Sequence, residues 1–238
     1  MARVLVMGSV FLPGIVMDPL VCVLRERGMT AERVAPTQVT TAARAAQAYV
    51  AAARRFGATT AIAHSNAGNF VPAVGAGSSV RRVAFIDAMV PPLTGGTWSV
   101  VPGQMRESLV QRAAHGVLPP WTQWWQEEDV VALFPNHETY ARVDASTPSV
   151  DTSYLSSRIS APAGWSADLD CSYVAFGQTY ADAADLAASA GWPVQMLDLG
   201  HLGMLQNPEM VADAVLTSLL LKARQRHSAQ REATPSGA

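Results

Sequence analysis

Residues 59–68 read TTAIAHSNAG. The small and apolar run up to position 63 suits a short strand buried on both faces. A serine stands just past its end, and residues 66–76 can then form a helix if Pro72 sits in the first turns. A serine on so tight a strand-to-helix turn holds its hydroxyl outward, at the positive end of the helix dipole. The turn brings backbone against backbone, so small residues are required two before and two after the serine. Here these are Ala63 and Ala67, so the strict G-x-S-x-G pattern fails while its steric logic survives. An ordinary helix N-cap serine is the competing reading of Ser65.

Outward from this stretch, strand-like and helix-like segments alternate. Residues 3–7 (RVLVM), 30–34 and 82–86 (RVAFI) read as strands, as do 172–176 and 194–197. Residues 15–27 and 40–56 read as helices closed by Gly28 and Gly57, and 182–190 and 208–221 as two more. The alternation predicts an α/β fold with a mostly parallel, doubly wound sheet of about six strands. After Pro91-Pro92 the pattern stops. Residues 91–170 are irregular, with helices expected at 104–114 and 122–134, and hold five of the six tryptophans. We therefore expect a core of 1–90 and 171–222, a helical, Trp-rich cap insertion over 91–170, and a disordered polar tail over 223–238. An aromatic insertion above a sheet suits a lid or half of an apolar pocket; the plainer alternative is the core of a small subdomain.

With 238 residues, 49% hydrophobic and 15% charged, the chain can bury one sizeable core and is not a disordered segment. The net charge of -2 leaves no basic footprint for nucleic acid. Lys222, Arg224 and Arg226 are expected at the C-terminal end of the last helix. Cys22 and Cys171 lie in apolar contexts that suit buried free thiols, and zinc-type spacing is absent from the sequence. The apolar run near the start is too short for a secretory leader, and no apolar stretch reaches about 18 residues. A cytoplasmic protein without a membrane role is the expectation.

A nucleophilic serine needs a base within hydrogen-bond reach. Of five histidines, His64 is expected to point away from Ser65 in a structural role. His115 and His137 fall in the insertion and His227 in the tail. His201 lies in LDLGHLGMLQNPEMVA, after the last strand and before the closing helix. That places it at the carboxyl edge of the sheet, where ligand sites of α/β proteins form.

Together VLVMGSVFLPG, AIAHSNAG, RVAFIDAMVPP and LDLGHLGMLQNPEMVA resemble the α/β-hydrolase superfamily, in order and spacing, over about residues 2–90 and 171–222. The resemblance implies a Ser65 nucleophile, a His201 base and an oxyanion hole. Its donors would be the backbone amides of Asn66 and Ser9, with Val10 the alternative if the loop is one residue longer. Each donor of this kind is worth about 3–4 kcal/mol. It implies no metal and no organic cofactor. The chain departs from the family pattern in three places. Met7-Gly8 replaces the usual His-Gly of the oxyanion loop, and the elbow glycines are alanines. The usual acid slot, near Gln178 or Thr179, holds no carboxylate. Asp87, at the end of RVAFID, matches the placement of the acid in some haloalkane dehalogenases, while Asp182 is the alternative and otherwise a helix N-cap.

The expected activity is hydrolysis of an ester, thioester or lactone of a small hydrophobic molecule. Phe11, Trp98, Trp124 and Trp125 would bound its pocket. Two alternatives stay open: a lyase on the same scaffold with the histidine as base, and a binding protein without turnover. Monomer and homodimer both stay open, since exposed tryptophans also suit a dimer contact.

Overall fold

The computed structural model describes residues 2–232. The strands in chain order are β1 (Arg3–Met7), β2 (Thr30–Val34), β3 (Thr60–Ser65), β4 (Arg82–Ala88), β5 (Gly96–Ser99), β6 (Arg158–Ala161), β7 (Asp170–Phe176) and β8 (Val194–Leu197). Six of them make one parallel sheet in the order β2-β1-β3-β4-β7-β8. The central strands are buried throughout apart from Arg3 and Arg82 at their starts, which is why they read as apolar runs rather than as alternation.

Helices connect the strands. The first three are α1 (Asp18–Glu26), α2 (Ala42–Phe56) and α3 (Val71–Gly77). Thr41 caps α2 by accepting from the Arg44 amide at 3.3 Å, and Gly57 closes it at φ 65°. The chain crosses from β1 to β2 in one direction and from β2 to β3 in the other. Right-handed crossovers then put α1 and α2 on opposite faces. The reversal leaves a crevice between the carboxyl ends of β1 and β3, the usual place for a ligand in an open α/β sheet.

Between β4 and β7 lie α4 (Gly103–Arg112), α5 (Glu127–Val131), α6 (His137–Ser146) and α7 (Thr152–Leu155). The expected helix over 122–134 is broken into a 3₁₀ turn at Trp121–Gln123 and the short α5. The antiparallel pair β5–β6 was not anticipated; it brings the two ends of this segment together. Three helices complete the chain: α8 (Ala181–Ser189), α9 (Gly203–Gln206) and α10 (Pro208–Glu232). α10 packs against α1 and β7, while α2 packs against α3.

Two expectations are corrected here. The closing helix does not stop at 221 but continues to Glu232, so residues 223–232 are helical. Arg226 is inside it and pairs with Asp170 at 2.9 Å, an anchor that a reading of local polarity misses. Residues 233–238 of the expected tail lie outside the described residues. Cys171 is buried as expected, but Cys22 is exposed and faces Glu26 one helical turn on. Its apolar neighbours in sequence point to the other side of α1. Among the described residues no helix is long and apolar enough to cross a membrane.

Candidate active site

Ser65 ends β3 at φ 57° and ψ −129°, a region that side-chain-bearing residues rarely enter. The strain comes from the turn: the 3₁₀ segment Asn66–Phe70 starts at once, and the Met89 amide donates to the Ser65 carbonyl at 3.1 Å. Ala67 is fully buried, and a Cβ on Gly68 would overlap the Met89 carbonyl oxygen. The requirement for small residues read from the sequence is thus met at 63, 67 and, most tightly, 68.

The neighbouring strand end is strained too. The β3–β4 register shifts between His64 and Ser65, which then pairs with Ala88, so Asp87 is bulged out at φ 41°. Its carboxylate is fully buried. One oxygen accepts from the Phe176 amide at 3.2 Å, and the other meets His201 Nδ1 at 2.5 Å. The Tyr173 hydroxyl locks the next residue by bonding both the amide and the carbonyl of Ala88. Asp87 and His201 are therefore brought together. Asp182 is exposed in the first turn of α8; the cap position is Tyr180, and Asp182 does not serve as the cap.

His64 lies under His201. Its Nε2–H donates to the His201 carbonyl at 3.0 Å, and the two imidazoles stack with centroids 4.6 Å apart. Nδ1 is buried and has no partner among the described residues. Burial, and secondarily the adjacent His201, hold this imidazole well below its usual range, so it stays neutral. Leu133 packs on Gly200, and Gln206 donates to the Ala132 carbonyl at 3.1 Å, so the 91–170 segment also steadies the His201 loop.

The Ser65 hydroxyl bonds Tyr180 Oη at 3.2 Å. Among the described residues no hydrogen bond joins it to His201, which lines the same pocket. Burial pushes the Tyr180 phenol up to about 12, against the opposing hydrogen bond from Ser65. Tyr180 falls one or two positions past Gln178 and Thr179, the usual acid slot. Its signal in the sequence is a polar side chain close to that slot.

The cavity at Ser65 has a volume of about 60 Å³. Phe11, Trp124 and Trp125 line it, together with Asn66, the residue whose amide was expected at the oxyanion. Trp121, three residues before Trp124 and outside the expected set, lines it too. Phe11 packs edge-on against Trp124 at 4.9 Å and Tyr154 at 5.4 Å. One expected lining residue is elsewhere. Trp98 is in β5, where its Nε1–H donates to Asn69 Oδ1 at 2.8 Å. It belongs to a buried network with Val100 and Asn66, in which the Tyr154 hydroxyl donates to Asn66 Oδ1 at 2.5 Å. Ser9 is buried behind Phe11, whose amide donates to Ser9 Oγ at 3.3 Å. Its loop is tied down by Tyr49, which donates to the Gly8 carbonyl at 2.6 Å.

No family model matches the chain, and no curated protein matches it. Solved structures do. An extracellular α/β-hydrolase from a Paenibacillus species, described as sharing structural and functional homology with tobacco salicylic acid binding protein 2, superposes with a TM-score of 0.69 at 15% identity; the match covers 92% of this chain and 98% of that one. Polyneuridine aldehyde esterase matches with a TM-score of 0.69 at 14% identity, over 91% and 99% of the two chains. Tomato methylketone synthase I matches with a TM-score of 0.66 at 9% identity, over 93% and 98%. With its six-stranded parallel sheet and flanking helices, the chain has the α/β-hydrolase fold.

Proposed function

We propose that this protein is a serine hydrolase acting on an ester, thioester or lactone of a small apolar molecule. The observation that carries the reading is the strained Ser65 elbow opening on a pocket shared with His201, whose far nitrogen is held by the buried Asp87. In this mechanism Ser65 Oγ attacks the carbonyl carbon while His201 Nε2 takes the hydroxyl proton. Asp87 fixes the tautomer of His201 and stabilises the imidazolium. The Asn66 and Ser9 amides donate to the oxyanion. His201 then delivers its proton to the leaving group, and water releases the acyl group by the same path. Free enzymes often show a loose serine–histidine contact that tightens with substrate, so the resting bond to Tyr180 is compatible with this sequence of steps.

The test is intact mass after treatment with a fluorophosphonate. One adduct is expected on the wild type and none on Ser65→Ala, which should also lose at least a thousandfold in turnover of activated esters. A folded wild type that takes up no adduct would refute the hydrolase reading.

A second reading is a lyase with His201 as base. The resting geometry favours it, because the serine hydroxyl is engaged by Tyr180 while His201 keeps its partner Asp87. The similarity in fold to a methylketone synthase is in keeping with it. A lyase would form no acyl-enzyme and would tolerate Ser65→Ala far better than a change at His201.

A further inference from the structure

A second hollow, of about 420 Å³, lies beside the cavity at Ser65. Met89, Pro102, Met105, Thr179 and Tyr180 stand in the wall of both. We propose that this bay takes the leaving group and that Tyr180 is a further catalytic residue. The substrates would then join a short acyl group to a bulky apolar alcohol. The inference rests on the hydrolase reading above.

Three observations carry it. The first is reach. Tyr180 Oη is 3.2 Å from Ser65 Oγ, so it stands beside any carbon bonded to that oxygen and within range of the other oxygens on that carbon. The second is room. At about 60 Å³ against about 420 Å³ the hollow at Ser65 is much the smaller, so the smaller half of the substrate belongs there and the bulkier half in the bay. The third is chemistry. Val90, Met105 and Leu186 make the bay largely apolar, and the phenol on its edge keeps its proton at neutral pH and so has a hydrogen to donate.

In the tetrahedral adduct the carbonyl carbon is bonded to Ser65 Oγ and to the leaving oxygen. The bond to the leaving oxygen breaks and its electron pair stays on that oxygen. His201 supplies the proton it took from Ser65. Tyr180 keeps its own proton and donates a hydrogen bond to the same oxygen as charge builds there. This assistance matters most for alkoxides and least for leaving groups already stable as anions.

Tyr180→Phe keeps the ring and removes only the hydroxyl. Its kcat/KM should fall about 30- to 100-fold for benzyl acetate and less than about 5-fold for p-nitrophenyl acetate. A purely structural role would lower both equally, and equal losses would overturn the assignment. A second variant avoids the elbow. Ala183 lines the bay but not the cavity at Ser65, so Ala183→Trp should raise KM for benzyl acetate several-fold more than for methyl acetate. On the wild type, p-nitrophenyl esters should lose activity steeply from acetate to octanoate. If octanoate is instead preferred and Ala183→Trp suppresses it, the bay holds the acyl group and the proposal fails. Fluorophosphonate labelling of the same samples separates the two layers. Labelled Ser65 with equal Tyr180→Phe losses removes only this inference, whereas an unlabelled wild type removes the hydrolase reading beneath it.

Discussion

The floor and the roof of the pocket are built on different principles. The floor is polar, buried and over-determined. Asp87 is held by two strands and His201, His64 is pinned beneath, and two adjacent strand ends carry strained backbone. The roof is aromatic and held mainly by ring contacts, with the Trp124 Nε1–H donating to the Pro119 carbonyl at 3.0 Å. Trp121, Trp124 and Trp125 meet at angles of 45–64° with centroids 5.0–5.7 Å apart, and α5 starts without a side-chain cap. Trp125 is 44% exposed. Strain of the kind seen in the floor persists only where surrounding bonds enforce it. Apolar ring contacts fix no single orientation, so a roof can change its substrate while the floor keeps its chemistry.

The contrast can be broken by experiment. The largest effect is expected in the floor. Asp87→Asn keeps the shape but loses the charge that, in the proposed mechanism, stabilises the imidazolium, so kcat should fall about a thousandfold or more with KM little changed. Steady-state kinetics on an activated ester measure this. In the roof, Trp125→Ala removes a half-exposed ring, and KM should rise about five- to tenfold while kcat stays within about twofold. If Trp125→Ala instead lowers kcat as Asp87→Asn does, the two layers are not separate.

The smallest effect sharpens the role of His64. Its folded imidazole stays neutral where the unfolded one takes up a proton, so the unfolded state binds more protons on acidification. Stability should therefore fall as pH drops below about 6.5, with a slope of at most about 1.4 kcal/mol per pH unit from this group. Above that range His64 contributes no pH dependence. His64→Gln keeps a donor for the His201 carbonyl and should remove this share of the slope, as read from urea midpoints across the pH range. An unchanged slope would mean that His64 is protonated in the folded protein.

The legibility of the two layers in the sequence differs as their construction does. Ser65, Asp87 and His201 each end or follow a strand whose pattern is local, and the small residues around Ser65 report a steric demand of the turn itself. Neither the bulge that turns Asp87 toward His201 nor the stacking of His64 leaves a local mark, since both arise from the pairing of β3 with β4 and from a loop 137 residues away. Trp98 shows the limit in the roof: composition marked it as a pocket residue, yet pairing of β5 with β6 turned its indole to Asn69. Arg226 shows it outside the site, where one ion pair to β7 accompanies a helix that local polarity ended too early.

What the sequence by itself determined is the parallel sheet and the strand ends at which Ser65, Asp87 and His201 stand. Period, turn chemistry and small-residue demands act over a few neighbours and are written in order along the chain. What only the tertiary structure decided is which rings close over Ser65, that Tyr180 holds its hydroxyl, and that a second hollow adjoins the first. These depend on how an irregular segment without periodicity folds back over the sheet, and contacts between distant residues have no local signature.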